Sequence, residues 1–389
     1  MTRKLYWETP YDKQFTAKVV SIKTEGIILD QTLFYPYGGN QLSDHGIIRI
    51  KDVDFSIKNV TKEDNEIIHH ITPNFQNKVK VGEEVVGQID WKRRYGLMKS
   101  HTSQHIFSAV IKNKYDINTI RATLNFEDVS LSISRVLSYE QLKSVLQEIN
   151  EIFCFNNLKI NGRILAHKEI EPLRDLIRGN IPNKSQIRIV EIEDLDMVCC
   201  GGTHVKNSTE IGSLFIYDFK KGKEIKYCIG ANCLNMLTNI NVDLLDISNS
   251  LNVSISNIRV KNNKNNVLIS NLQDKNKILA LKTLKLIAKN PIDTINGVLI
   301  FILEYDMDHK IISKNMHLFP LETVLVIKMT PKKFRIISKI QAVNANNIMQ
   351  VFIKKFGGKG GGNSSSAQGT FNIDPEDIIS DLKEILSKN

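Results

Sequence analysis

Residues 196–205 read "DMVCCGGTHV". Two cysteines, two glycines, a threonine and a histidine sit close together, and three chemistries suit such a segment: a redox pair, half of a metal site, or a glycine turn after a buried cysteine. The redox reading is poor, because C-x-x-C spacing is absent and adjacent side chains on an extended backbone point to opposite faces. Only one thiol can then face a site. Cys200 is that one, four residues before His204, and Cys199 packs on the far side. Gly201 and Gly202 allow the tight turn that folds an imidazole back toward a thiolate. By itself the segment fits a small buried hydrophobe before a turn equally well.

What changes its meaning lies upstream. "DWKRRYGLMKSHTSQHIFSAVIKNKY", residues 90–115, has helical spacing, with Asp90 placed to cap the N-terminus. Leu97, His101, His105 and Ser108 or Ala109 fall on one face. Residues four apart share a helix face, so His101 and His105 can bind one ion together. The Glu of the H-E-x-x-H protease signature is missing, since Thr102 follows His101. Combined, the segments supply His101, His105, Cys200 and His204. Zinc is the natural guest for such nitrogen and sulfur donors. Gln104 and Thr102 lie beside these ligands and can position water or substrate.

Outward from this pair, residues 1–90 read as a small β-barrel or sandwich: "AKVVSI", "GIILD", "HGIIRI", "FSIKNV" and "EVVGQID" are short β-branched runs, separated by "TEG", "YGGN" and "TPNFQN". Residues 91–232 mix helix and strand, with "SYEQLKSVLQEINEIF" an amphipathic helix starting near Ser138 or Tyr139. Residues 233–290 nearly lack glycine and read as long helices, a hairpin or coiled-coil connector. Residues 291–389 alternate strand and helix as a small α/β module. The fold class is α+β and multidomain.

Two further segments carry glycine. In "FYPYGGNQLSDHG", residues 34–46, Gly38, Gly39 and Asn40 can take positive φ, and Gln41 and Asp44 can hydrogen-bond a ligand. In "FGGKGGGNSSSAQG", residues 356–369, the Walker reading fails because Gly360 follows Lys359, and the dinucleotide reading fails at Asn363. The expectation there is a ligand-facing loop in which Lys359 and the backbone of Gly360, Gly361 and Gly362 meet a phosphate.

The 389 residues carry 52 Lys+Arg against 42 Asp+Glu, a net charge of +10. That surplus favours a polyanionic partner without proving one. The N-terminus lacks an apolar signal region and no apolar run approaches the ~18 residues of a membrane helix, so a cytoplasmic protein without membrane contact is expected. The five cysteines, odd in number and irregular in spacing, do not form a disulfide framework.

Taken in order, "FYPYGGNQ", "HTSQH", "CGGTH" and "GGKGGG…AQG" resemble the stand-alone alanyl-tRNA editing proteins, relatives of the editing half of alanyl-tRNA synthetase. The resemblance covers nearly the whole chain. It implies an N-terminal barrel, a zinc editing domain similar to the second additional domain of threonyl- and alanyl-tRNA synthetases, and a C-terminal module of the DHHA1 kind. It implies ATP-independent hydrolysis of serine, and secondarily glycine, from mischarged alanine tRNA, with one zinc per chain and no aminoacylation. Thr32 and Gln41 match family positions near the pocket and are candidates to bind the serine hydroxyl. The chain departs from the family pattern at Asn40, where a third glycine is usual, at Lys226, where arginine is frequent, and at Asn363, where a basic residue is usual. Lys226 and Lys359 remain candidates for tRNA contact. By analogy with the synthetase a homodimer is expected. A zinc-stabilised tRNA-binding module without catalysis is the competing reading, and a DHH-type phosphoesterase is disfavoured because "SDHGI" lacks Asp-His-His.

Overall fold

The computed structural model describes residues 2–387 except 65, 73, 74, 76, 77, 305, 306 and 376. Most of the "TPNFQN" turn therefore lies outside the described residues. The chain divides into two compact units, Met1–Asp246 and Ile247–Asn389.

In the first unit, six strands close a barrel: β1 (Gln14–Ile22), β2 (Gly26–Leu29), β3 (Gly46–Ile50), β4 (Val53–Glu63), β5 (Glu66–Thr72) and β6 (Glu84–Ile89). The neighbours run β1-β2-β5-β4-β3-β6, all antiparallel. Along β1 buried and exposed residues alternate from Gln14 to Val20, as a period of two requires when one face looks inward. Phe15, Ile27, Phe34, Ile48, Phe55 and Val85 fill the interior. Strand β5, "EIIHHIT", was not singled out in the sequence.

From the barrel the chain enters α1 (Trp91–Tyr115), whose N-cap Asp90 accepts from the Arg93 N–H. Strands β7 (Thr119–Asn125) and β8 (Asp128–Ile133) follow, then α2 (Tyr139–Glu151), opened by a reciprocal Ser138–Gln141 capping box. Next come β9 (Ile160–Ala166), β10 (Gln186–Ile192), β11 (Asp196–Cys199), β12 (Leu214–Lys220) and β13 (Glu224–Ile229). They form two antiparallel sheets, β12-β13-β8-β7 and β9-β10-β11. Helix α1 buries Met98, Ile106, Phe107 and Val110 against Leu131, Val145, Ile225 and Tyr227.

A fully buried ion pair locks barrel to helix. Arg94 binds Asp44 through Nε and Nη2, and the Asp44 carboxylate also accepts from the Tyr35 N–H at 2.6 Å. Asp44 is thus structural rather than ligand-facing, which corrects the sequence expectation for it.

Helix α3 (Gly230–Ser250) begins in this unit, and α4 (Ile258–Ile287) belongs to the second. The second unit is built on a six-stranded sheet of β14 (Asp293–Ile295), β15 (Val298–Leu303), β16 (Thr323–Thr330), β17 (Lys333–Ser338), β18 (Lys359–Gly362) and β19 (Ser366–Thr370), with α5 (Ala345–Phe356) and α6 (Ile378–Ser387). The order is β14-β15-β16-β17-β19-β18, with β15 and β16 parallel. Ile348, Met349 and Phe352 of α5 and Leu382 of α6 pack with Val324 and Ile336. A separate cluster joins Ala280 and Leu284 of α4 to Phe301 and Leu325. Among the described residues no helix is long and apolar enough to cross a membrane.

Candidate metal centre

One turn of α1 separates His101 from His105, and their rings stack with centroids 5.0 Å apart. Strand β11 ends at Cys199, and the glycine turn after it carries Cys200 and His204 to the same place. The Cys200 Sγ lies 3.4 Å from His101 Nε2 and 3.3 Å from His204 Nε2. One donor atom from each of the four residues falls within 4.8 Å of every other. Cys199 faces away, packed with Ile187, Ile189 and Ile170.

Neighbouring groups fix which nitrogens point inward. The Gln41 Oε1 sits 2.9 Å from His101 Nδ1 and accepts the Thr203 N–H at 3.0 Å. An amide oxygen only accepts, so His101 Nδ1 carries the hydrogen and Nε2 keeps its lone pair. Thr102 does the same for His204. Its hydroxyl donates to the Met98 carbonyl at 2.9 Å, so its oxygen accepts from Val205 N–H and from His204 Nδ1, 3.2 Å away. Both rings thus present a free Nε2. Such outer partners orient metal-ligating histidines generally. His105 is the telling residue: both its ring nitrogens are buried without a hydrogen-bond partner. Leaving a buried polar atom unpaired costs ~1–3 kcal/mol, so these atoms call for a partner of another kind.

Electrostatics agree with a metal. Burial holds His101 down to about 3, and the Arg188 charge acts the same way. Burial also pushes His105 and His204 well below the ordinary imidazole value, helped by nearby positive charge. All three imidazoles are therefore neutral at pH 7, the form a metal needs. Burial pushes the Cys200 thiol up, opposed by the Gly202 N–H and Arg188. A divalent cation held there would supply the remaining drive toward thiolate. The four donors fit a metal ion.

Arg188 of β10, which no sequence pattern singles out, also shapes the turn: its Nη1 donates to the Cys200 and Gly202 carbonyls, each at 2.9 Å. From the barrel side, Trp7 Nε1 donates to the Gly201 carbonyl at 2.8 Å. Glu210 holds the far end, accepting from Tyr11 and Tyr95 hydroxyls and from the Lys206 and Asn207 N–H groups. None of these stood out beforehand, because each is an ordinary residue type whose value comes from tertiary placement.

Other expectations are adjusted by the structure. Gly39 and Asn40 have φ of 59° and 64°, but Gly38 does not take the left-handed region. Gly38 and Gln41 close a tight turn that aims the buried Gln41 inward. Thr32 is committed elsewhere: its buried hydroxyl pairs with His69 Nε2 at 2.8 Å and accepts from Phe34 N–H. Gln104 turns along its own helix, its Nε2 donating to Ser108 Oγ at 2.9 Å. Lys226 is exposed on β13, between Ser130 and Asp218 of the adjoining strands. The Lys359–Gly362 segment is an edge strand paired with β19, not a loop. A groove elsewhere on the barrel, lined by His45, Ile47, Lys58 and Gln88, holds none of the cluster residues.

Comparison with known proteins agrees with this architecture. Residues 4–93 match the family described as tRNA synthetases class II (A), and residues 187–226 match the threonyl and alanyl tRNA synthetase second additional domain. The chain is 28% identical over 412 residues to the alanyl-tRNA editing protein AlaX-L of Pyrococcus horikoshii, covering 97% of each. It is 27% identical to the alanine–tRNA ligase of Sulfurisphaera tokodaii over 99% of this chain and 44% of that protein. The Ignicoccus hospitalis alanine–tRNA ligase is 32% identical over 57% of this chain and 24% of its own length. The chain thus spans less than half the length of the ligases it matches. Barrel and second additional domain make the chain similar to a part of an alanine–tRNA ligase. Over nearly its whole length the chain resembles a stand-alone alanyl-tRNA editing protein.

Proposed function

We propose that this protein is a trans-editing deacylase that hydrolyses the ester of alanine tRNA mischarged with serine, and secondarily glycine, without ATP. One zinc ion per chain is held by His101, His105, Cys200 and His204. The carrying observation is the convergence of these four donors, with His105 left without any other partner. When bound, zinc polarises an ester carbonyl or acidifies a water.

The protein's own residues do the rest. Gln41 and Thr102 hold His101 and His204 in the tautomer that faces the site. The Thr203 hydroxyl accepts from Gln41 Nε2 at 2.8 Å, which leaves its hydrogen to bind a substrate hydroxyl. A buried group paired only by serine penalises alanine, which leaves it unsatisfied. The second unit is read as DHHA1-like, contributing tRNA contacts through Lys359 and a dimer interface; Lys226 contacts tRNA from the first unit. The proposed setting is the cytoplasm.

The test is deacylation of serine-charged and alanine-charged alanine tRNA by metal-loaded protein. Selective loss of the serine ester supports the reading. An intact serine ester with tight tRNA binding supports a second one, a zinc-stabilised binding module. A specific feature favours that alternative: four converging donors suit a closed structural site, whereas catalytic zinc usually keeps a position open.

A further inference from the structure

Beside the metal centre lies a group of cations without anionic partners. Lys4 Nζ sits 4.3 Å over the Trp7 ring, and the Arg188 guanidinium lies 5.7 Å from the same ring. Burial lowers the Lys4 pKa, and the charges that act on it next are Lys62 and Lys184, both cations. The groups that act on Arg188 are Cys200, Tyr35 and Tyr6. No carboxylate appears in either set. Other cations of the chain do have carboxylate partners: Arg3 takes Glu8, Lys23 takes Glu66 and Arg178 takes Asp196. Lys4, Lys62, Lys184 and Arg188 enter no ion pair among the described residues.

Lys4 and Arg188 flank an aromatic ring fixed to the metal centre, and Lys62 and Lys184 lie within electrostatic reach of Lys4. Trp7 Nε1 donates to Gly201, the residue directly after Cys200. Gly201 is exposed, and a Cβ there would meet only Trp7 Cζ2, at 3.8 Å, so the space above it is open. Single-stranded nucleic acid is held by this combination, bases stacked on aromatic rings and phosphates on lysine.

We propose that Trp7, Lys4, Lys62 and Lys184 form the seat of a single-stranded nucleic-acid end, Trp7 stacking a terminal base and the lysines binding its phosphates. The proposal rests on the editing reading and deepens it. A base on Trp7 places the adjoining ribose over Gly201, beside the four donors. Arg188 serves the seat indirectly, by holding the carbonyls of Cys200 and Gly202.

The test is binding, so it does not depend on hydrolysis. A labelled single-stranded oligonucleotide ending in CCA is titrated into full-length, metal-loaded protein by fluorescence anisotropy at several salt concentrations. Lys4→Ala with Lys184→Ala should weaken binding at least tenfold and reduce the log–log salt slope by about 1.4, for two lost contacts. Trp7→Leu should weaken it about 5- to 150-fold. Trp7→Phe, which loses the bond to Gly201 but keeps an aromatic face, should restore most of the affinity. That contrast separates stacking from support of the turn, and metal content measured in each variant guards against collapse of the centre. Of the two tryptophans, Trp91→Phe leaves Trp7 as sole reporter, whose emission the oligonucleotide should quench. Lys18→Ala with Lys23→Ala, two barrel lysines outside the proposed seat, should bind normally. The proposal is overturned if the Lys4/Lys184 variant keeps affinity and salt slope within twofold of the parent, or if Trp7→Phe binds as poorly as Trp7→Leu. Failure of the wild-type protein to hydrolyse the serine ester, with this binding pattern intact, would instead remove the editing reading.

Discussion

Gly202 and Gly360 both occupy places where a Cβ has no room, yet what presses on them differs. At Gly202 the added atom would lie 2.1 Å from His101 Cε1 and 2.9 Å from Gln41 Oε1. At Gly360 it would lie 2.4 Å from the Gln368 carbonyl oxygen and 2.6 Å from Gly369 Cα. The first glycine makes room for side chains that build a site. The second makes room for a neighbouring strand. Two glycine-rich segments that look alike in sequence thus serve a donor cluster in one unit and a close pair of strands in the other.

Breaking the ligand set should have the largest effect. His101→Ala or Cys200→Ala should lose bound metal and, on the editing reading, lower deacylation by at least 100-fold. Metal analysis and ester hydrolysis check this, and full activity in either variant would refute the metal assignment. Gly202→Ala should approach the same metal loss, while Gly360→Ala should leave metal content unchanged and lower only the melting temperature of the second unit. Equal metal retention in both would erase the distinction.

Next in size is Gln41→Ala. Removing an outer partner of a metal histidine typically costs ~10–100-fold in metal affinity, measurable by competition with a chelator at unchanged circular dichroism. Thr102→Val should act similarly on His204. The pH dependence of the metal-free protein is a third, smaller probe. His101, His105 and His204 fold neutral, below their ordinary value. The unfolded chain takes up protons first as pH falls through about 6.5. Stability contributed by this neutrality is therefore complete above that pH and is lost from there toward about 3, where His101 protonates in the fold. Urea unfolding of chelated protein at pH 7.5 and 5 should show the loss; equal midpoints would contradict it. Smallest of all, Lys359→Ala, on an exposed edge strand, should change tRNA affinity by less than threefold, roughly the worth of one phosphate contact.

Helix α1 and its cap at Asp90 were legible because spacing and capping are local signals. The pairing of "HTSQH" with "CGGTH" was legible from donor chemistry, though neither segment suffices alone. Strands β9, β10 and β11 were missed, and Arg188 with them, since a short β-branched run inside a mixed region looks like its surroundings. Thr32 and Gln104 show what polar residue type alone leaves open. Both are polar residues read as site candidates, and each takes a protein partner in the fold, His69 for Thr32 and Ser108 for Gln104. Polar identity marks the capacity for a hydrogen bond, and only the fold decides where it is spent.

Cys200 follows His101 by 99 residues. A zinc finger draws its donors from one short stretch, so its ion can gather an otherwise unfolded peptide. Here the ion would have to close a far longer loop, which costs about 2 kcal/mol more than a ~12-residue one, so a formed barrel and helix ease its capture. Metal capture should therefore be a late event in refolding, trailing the burial of Trp91. A stopped-flow experiment that follows tryptophan emission alongside a colorimetric metal indicator would put the two events in order.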